Sequence, residues 1–103
     1  MAMDLARVKG AARYYAVVLD HLDLATRVKG PALAQSEQFK YLIDFCDRLV
    51  DMVEREPERR EKIMRWYGFA QGALWAMGIF SVEELKSHSN PDVEPEFMRK
   101  ESP

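Results

Sequence analysis

Apolar residues recur at helical spacing along the first half of the chain. Between positions 4 and 28 they follow alternating steps of three and four, as Leu5, Val8, Ala12, Tyr15, Leu19 and Leu22. A second stretch before position 56 has the same spacing, as Phe39, Leu42, Cys46, Leu49 and Val53. Such steps place side chains on one side of an α-helix. The pattern predicts two amphipathic helices, each with one apolar seam formed by these residues.

The flanking residues predict where the two helices begin and end. Asp4 is suited to cap the first helix, which we expect to run to about Val28. The second helix begins at Pro31 or after Ser36. Pro57 ends it, because proline disfavours helical backbone in the preceding residue, and opens a third helix in its first turn. Since the first two helices are similar in length and closely connected, we expect an antiparallel hairpin.

The third stretch has no charged residue between Arg65 and position 80 and contains both tryptophans. Within it, Gly68, Gly72 and Ala76 are four residues apart and form a ridge of small residues on one side of a helix. Glycine inside a helix costs roughly 1 kcal/mol relative to alanine. We therefore expect another helix to pack closely over this ridge. Leucine at position 72 should then destabilise the protein strongly through overpacking.

The next residues carry clear local signals of a helix end and a helix start. Gly78 is placed to end the third helix in a left-handed conformation. Ser81, followed three residues later by Glu84, forms a capping-box pattern that predicts a short fourth helix over about 82–88. The residues 91–103 have the composition of a polar tail, which we expect to be flexible or docked on a partner.

Length and composition limit the fold and its partners. The chain has 103 residues, of which 48% are hydrophobic, and this suits one domain, which we place at 1–90. We predict the all-α class: an antiparallel helical hairpin with a third helix and a short C-terminal fourth helix, assembled as a dimer. The net charge of −2 provides no basic field, so nucleic acid is not an expected partner.

The sequence pattern predicts neither a membrane-spanning segment nor a secretory signal. No stretch reaches the ~20 apolar residues of a membrane span, so we expect no membrane partner. The N-terminus lacks the apolar region of a secretory signal. We therefore expect a cytoplasmic protein.

Acidic residues on the first two helices are the main candidates for catalysis: Asp20, Asp23, Asp44, Asp47 and Asp51. They resemble the paired acidic helices of all-α nucleoside-triphosphate pyrophosphatases, a resemblance that implies a metal-dependent nucleotide hydrolase binding Mg²⁺. The apolar seams direct Asp20 and the acids of the second helix outward. We expect Asp44 and Asp51 to pair with the arginines four residues later. The favoured interpretation is a solvated acidic surface, with no metal and no cofactor.

Other reactive side chains do not indicate catalysis. Cys46 lies on an apolar seam, where a buried thiol is usually unreactive. His21 and His88 have no second histidine or cysteine four residues away to complete a metal site. Basic residues such as Arg59 and Arg60 would suit a nucleic-acid-binding accessory protein, but neighbouring glutamates nearly cancel their charge. We expect that the protein is not an enzyme.

Aromatic residues exceed what a small three-helix core can hide. Neighbours such as Trp66 and Tyr67 point about 100° apart on a helix, so some rings must be exposed, as is typical of protein interfaces. A homodimer would also bury the long helices better than a lone hairpin. The residues expected to bind a partner are Arg65, Trp66, Tyr67, Gln71 and Trp75. The residues expected to pack against a helix are Gly68, Gly72 and Ala76.

One pattern resembles a known group of proteins. Residues 66–75 match W-x-G-F-x-Q-G-x-L-W, and Ser81-Val82-Glu83-Glu84-Leu85 follows after a turn. The combination resembles a pattern in small bacteriophage-encoded proteins of undefined activity. This resemblance implies an accessory or host-takeover protein in the host cytoplasm that binds a host or viral protein. We therefore predict a non-enzymatic interaction protein, with the nucleotide hydrolase and the nucleic-acid-binding accessory protein as alternatives.

Overall fold

The computed structural model describes residues 4–28, 33–95 and 97, and these form four helices and no strand. Along the chain they are α1 (Leu5–Val28), α2 (Leu33–Arg55), α3 (Arg60–Ala76) and α4 (Val82–Ser89). The predicted all-α class is confirmed. None of these helices is long and apolar enough to cross a membrane.

The helices α1 and α2 pack closely as the predicted antiparallel hairpin. Near the start of α1, the Arg13 Nη2 atom lies 2.8 Å from Glu54 Oε1 at the end of α2. Every residue of the predicted α2 seam is buried, and the α1 seam is buried from Val8 to Leu19. Together with residues of α3 and α4 these side chains form one hydrophobic core.

The predicted α1 seam is wrong at its last position. Leu22 is 37% exposed, whereas the next residue, Asp23, is only 5% exposed. A straight α-helix has 3.6 residues per turn, so a 3.5-residue repeat drifts by about 20° in every seven residues. By the end of α1 this drift has turned Leu22 outward and Asp23 inward.

The helix boundaries agree with the local signals except around Pro57. The Ala6 backbone N–H donates to Asp4 Oδ1 at 3.0 Å, which confirms the predicted cap of α1. A start of α2 after Ser36 is wrong, because the helix already includes Leu33, and the alternative start at position 31 lies outside the described residues. The predicted start of α3 at Pro57 is also wrong. Residues 57–59 form a turn, and α3 begins at Arg60.

A sharp corner joins α3 to α4, as predicted. Gly78 has a φ of 72°, the left-handed conformation that glycine adopts without a steric penalty. Ser81 Oγ accepts from the Glu84 backbone N–H at 3.1 Å, and Glu84 Oε1 accepts from the Ser81 backbone N–H at 2.9 Å. These contacts confirm the capping box. The bond from the Ser81 backbone lowers the pKa of Glu84.

The residues that follow α4 return to α1. The Phe97 ring stacks on Tyr14 with the ring centroids 5.4 Å apart, and a Cβ atom on Gly10 would lie 3.4 Å from the Phe97 ring. Pro95 is buried. These contacts join Pro95 and Phe97 to the helices, and the predicted tail over 91–103, flexible or docked on a partner, stays a prediction. The other residues of the predicted tail lie outside the described part.

Candidate functional site

An open apolar groove runs between α2 and α3. Its volume is about 680 Å³, and its walls include Tyr41 and Leu42 from α2 and Phe69, Ala73 and Met77 from α3. Glu37 and Gln38 lie at the end of the groove where α2 begins, together with Ala76 from the end of α3. The groove is therefore apolar along its length, with its charged rim at one end.

A cluster of aromatic rings in contact extends from this groove across both helices. The Phe45 ring lies 4.6 Å from Trp66, 5.0 Å from Phe69 and 6.2 Å from Tyr41, measured between centroids. Tyr41 is 61% exposed and Phe69 is 53% exposed, and Trp75 on α3 is 57% exposed. Large aromatic side chains normally bury most of their surface, so three that remain more than half exposed on two adjacent helices mark this side as unusual.

The ridge of small residues on α3 faces outward. Gly68, Gly72 and Ala76 are all exposed, and a Cβ atom built on either glycine would have no neighbour within 4 Å. The prediction that these three residues pack against another helix of the chain is therefore wrong. We define the outer face of α3 as Gly68, Phe69, Gly72, Trp75 and Ala76.

The orientation of α3 follows from the sizes of its side chains. The residues that it buries are Ile63, Tyr67, Ala70 and Leu74. At about 100° per residue this line lies nearly opposite the glycines. Burying large apolar side chains releases far more surface from water than burying glycine, which has no side chain, so the larger residues occupy the inner side. A leucine at position 72 would point into solvent, and the expected overpacking is therefore wrong for the single chain.

The five residues predicted to bind a partner divide into two groups. Arg65 and Trp75 are exposed and Trp66 is half-buried, so all three are accessible. Tyr67 is only 3% exposed, and its ring stacks against Tyr15 inside the core. The prediction that Tyr67 binds a partner is wrong, because a ring in this position cannot reach a second protein.

Gln71 is half-buried, and the NH₂ group of its amide is used within the chain. Its Nε2 atom donates toward Tyr67 OH at 2.9 Å, Ser89 Oγ at 3.0 Å, Tyr15 OH at 3.2 Å and the Leu85 carbonyl at 3.3 Å. Two N–H groups thus serve four acceptors from α1, α3 and α4. The residue connects three helices, and its role in binding a partner stays a prediction.

His88 extends this polar cluster into the core. The Tyr15 OH lies 2.7 Å from His88 Nδ1, and the imidazole is only 2% exposed. Rings of Tyr14, Phe80 and Phe97 surround it at centroid distances of 5.1 to 5.8 Å. Burial raises the pKa values of Tyr15 and Tyr67, so both phenols stay protonated. The cluster is an internal junction between helices.

Arg7 forms a second connection between helices, from α1 to α4 and the residues after it. The sequence alone does not predict this connection. Its Nε donates to the His88 carbonyl at 2.7 Å, and its Nη2 donates to the carbonyls of Ser87 at 2.8 Å and Val93 at 2.6 Å. The partners are about 80 residues away in the sequence. The only local signal is a charged residue beside the buried Val8, which does not identify its partners.

Three of the side chains considered for catalysis are paired or buried. Asp44 pairs with Arg48 at 3.0 Å and Asp51 pairs with Arg55 at 2.8 Å, as predicted. Cys46 is fully buried, and burial raises the pKa of its thiol to about 12, which leaves almost no thiolate at neutral pH. Among the described residues, no three His, Cys, Asp or Glu side chains are grouped so that they could hold a metal ion.

Comparisons with known proteins assign no family to the chain. A scan against protein-family models, a search of curated proteins and a search of solved structures each found no match. The resemblance of residues 66–85 to small bacteriophage proteins therefore stays a prediction.

Proposed function

We propose that this chain is a small, non-enzymatic helical interaction protein of the bacteriophage accessory or host-takeover type. It acts in the cytoplasm and binds another protein chain through the groove between α2 and α3 and the outer face of α3. The observation that supports this most strongly is the exposure of Tyr41, Phe69 and Trp75, each more than half accessible, around a helix face that has no charged residue after Arg65.

The chemistry of this surface suits a protein partner better than a nucleic acid. Buried centres of protein interfaces are rich in aromatic residues and poor in charges, as this face is. Nucleic-acid binding depends on cations that neutralise phosphates. Here Arg59 lies 3.2 Å from Glu56 and Arg65 lies 3.8 Å from Glu61, so nearby carboxylates offset these charges.

Site-specific photo-crosslinking tests the proposal in the full chain. A photoreactive amino acid at position 69 is expected to give discrete cross-linked bands in a bacterial cytoplasm, because it lies beside the groove. The matched control places it at Val17, an apolar residue on α1 that is 55% exposed. Equal cross-linking from both positions would contradict a specific surface on α2 and α3.

A second variant connects the cross-link to the face as a whole. Trp75→Glu should suppress the cross-link from position 69, because it buries an unpaired charge in the interface. The fold should tolerate it, since Trp75 is 57% exposed. Circular dichroism checks that the helices remain. A cross-link that persists at full strength in this variant would show that Trp75 lies outside the binding surface.

A further inference from the structure

The outer face of α3 is matched to itself under a two-fold rotation. Gly72 lies at its centre, with Gly68 and Ala76 four residues to either side and Phe69 and Trp75 three residues to either side. In an antiparallel pair related by a two-fold axis through Gly72, each residue meets the residue equally far on the other side of the centre. Small residues then meet small residues, and the Phe69 ring of one copy meets the Trp75 ring of the other.

The two glycines permit a close crossing that no other helix of the described chain uses. Apart from the adjoining backbone of α3 itself, no atom of the described residues lies within 4 Å of the position that a Cβ atom would take on Gly68 or Gly72. Each glycine costs the helix roughly 1 kcal/mol relative to alanine. A second helix that crosses over Gly72 would gain backbone contact from this missing bulk.

The charges at the two ends of the face favour the antiparallel orientation. Arg65 lies toward the start of α3, while Glu37 lies beside Ala76 and Met77 at its end. An antiparallel crossing brings Arg65 of each copy to the end that carries Glu37 of the other, where the C-terminal dipole of α3 also attracts a cation. A parallel crossing would place like charges together.

The accessible area suits a weak dimer. Large aromatic side chains bury about 150–250 Å² each, so Tyr41, Phe69 and Trp75, each more than half exposed, offer roughly 350 Å² per copy. The groove walls and the glycine backbone add to this. Over two copies the rings alone give roughly 700 Å², below the ~1,200 Å² at which specific, stable interfaces begin, so the groove walls and the glycine backbone supply the remainder and the dimer is expected to be weak.

From these observations we infer that the partner on this face is a second copy of the chain, with the two α3 helices crossing antiparallel at Gly72. The inference rests on the proposed function, since it names the occupant of the same surface.

Molar mass measured by light scattering over a dilution series tests the inference with the full chain. The wild type should change from dimer to monomer on dilution. Gly72→Leu should raise the dissociation constant at least about tenfold, since added bulk at a close crossing is poorly accommodated. The variant should keep its helices, because among the described residues no other helix or side chain lies near this position. The control Ala6→Leu, on an exposed position of α1, should leave the constant unchanged.

A charge exchange tests the orientation. Arg65→Glu should weaken the dimer, and adding Glu37→Arg to the same chain should restore it, because the pair across the interface is rebuilt with reversed signs. Restoration supports the antiparallel crossing, and further weakening by the second substitution overturns it.

The outcomes separate this inference from the proposed function. A wild type that stays monomeric at every concentration, or a dimer that Gly72→Leu leaves intact, overturns the second-copy assignment. The cross-linking at position 69 detects any protein partner, so it still decides the proposed function in that case.

Discussion

The amide of Gln71 serves more groups than its two N–H bonds can fully satisfy. It contacts the hydroxyls of Tyr15, Tyr67 and Ser89 and the carbonyl of Leu85. The Leu85 carbonyl can only accept, which fixes the NH₂ group on this side of the amide. The hydroxyls can rotate and exchange bonds with one another, and Tyr15 OH also bonds to His88 Nδ1 at 2.7 Å, so the cluster shares its hydrogen bonds among several groups.

Replacing this amide should destabilise the chain. Gln71→Leu removes the shared donor and leaves partly buried hydroxyls with fewer partners, a loss of roughly 1–3 kcal/mol in the free energy of unfolding. Urea unfolding followed by circular dichroism measures it. Gln38→Leu, at an exposed position on α2, is the control and should change the free energy little. Equal effects of the two substitutions would mean that the Gln71 bonds do not contribute.

At the scale of single elements, α4 depends on the rest of the chain. It has only eight residues, too few for a helix that is stable in isolation. The capping box supports its start, and the guanidinium of Arg7 binds the carbonyls of Ser87 and His88 at its end. The positive charge also complements the helix dipole there. Arg7 thus connects the first turn of α1 to the last turn of α4.

Removing the guanidinium should loosen α4 selectively. In Arg7→Met, backbone amides of α4 should exchange with deuterium at least about tenfold faster, since bonds to a charged donor are worth roughly 1.5–3 kcal/mol each. Arg13→Met is the control, because Arg13 pairs with Glu54 at an exposed position and such pairs contribute little. Faster exchange spread evenly over all four helices would argue against a local role.

The features that sequence reasoning recovered are local ones. The capping box of Ser81 and Glu84 and the left-handed Gly78 depend on residues a few positions apart, and the α2 seam depends on the period of one helix. Which side of α3 packs against the hairpin depends instead on which of its side chains α1 and α2 can bury. The contact between Gln71 and Tyr15 joins residues 56 positions apart. Pairing of this kind leaves no periodic signal in the sequence, so the spacing of Gly68, Gly72 and Ala76 does not show which side of α3 faces the hairpin.

The core of the molecule contains three weakly acidic side chains that lose their protons only at alkaline pH: the phenols of Tyr15 and Tyr67 and the thiol of Cys46. Burial raises the pKa values of Tyr15 and Tyr67, and raises that of the Cys46 thiol to about 12. In the unfolded chain the thiol titrates near ~8.5 and the phenols near ~10. Above those values the unfolded state releases protons that the folded state keeps. The free energy of unfolding is therefore largest below these pKa values and falls as the pH rises above them.

The chain should accordingly unfold more easily in alkali. Its melting temperature should fall progressively as the pH rises above about 9, with each such group contributing up to about 1.4 kcal/mol per pH unit. Cys46→Val keeps an apolar side chain at this position and removes the thiol, so the slope should become shallower just above pH 9. Thermal melts followed by circular dichroism between pH 8 and 11 measure both slopes. A melting temperature that is constant over this range would contradict the protonated core.

The outer face of α3 is as informative as the core, because it is apolar and carries Phe69 and Trp75, each more than half exposed. The proposed function requires the glycines of α3 to point away from the hairpin. If they pointed inward, the exposed rings would belong to a different face, and this face could not bind a partner.

The free energy of unfolding of Gly72→Leu tests this orientation most directly. Measured by urea at a protein concentration low enough for the monomer, it should equal or exceed that of the wild type, because leucine favours an exposed helix position by somewhat less than about 1 kcal/mol relative to glycine. A decrease of roughly 1–3 kcal/mol, as expected for overpacking against another helix, would contradict the outward-facing glycines.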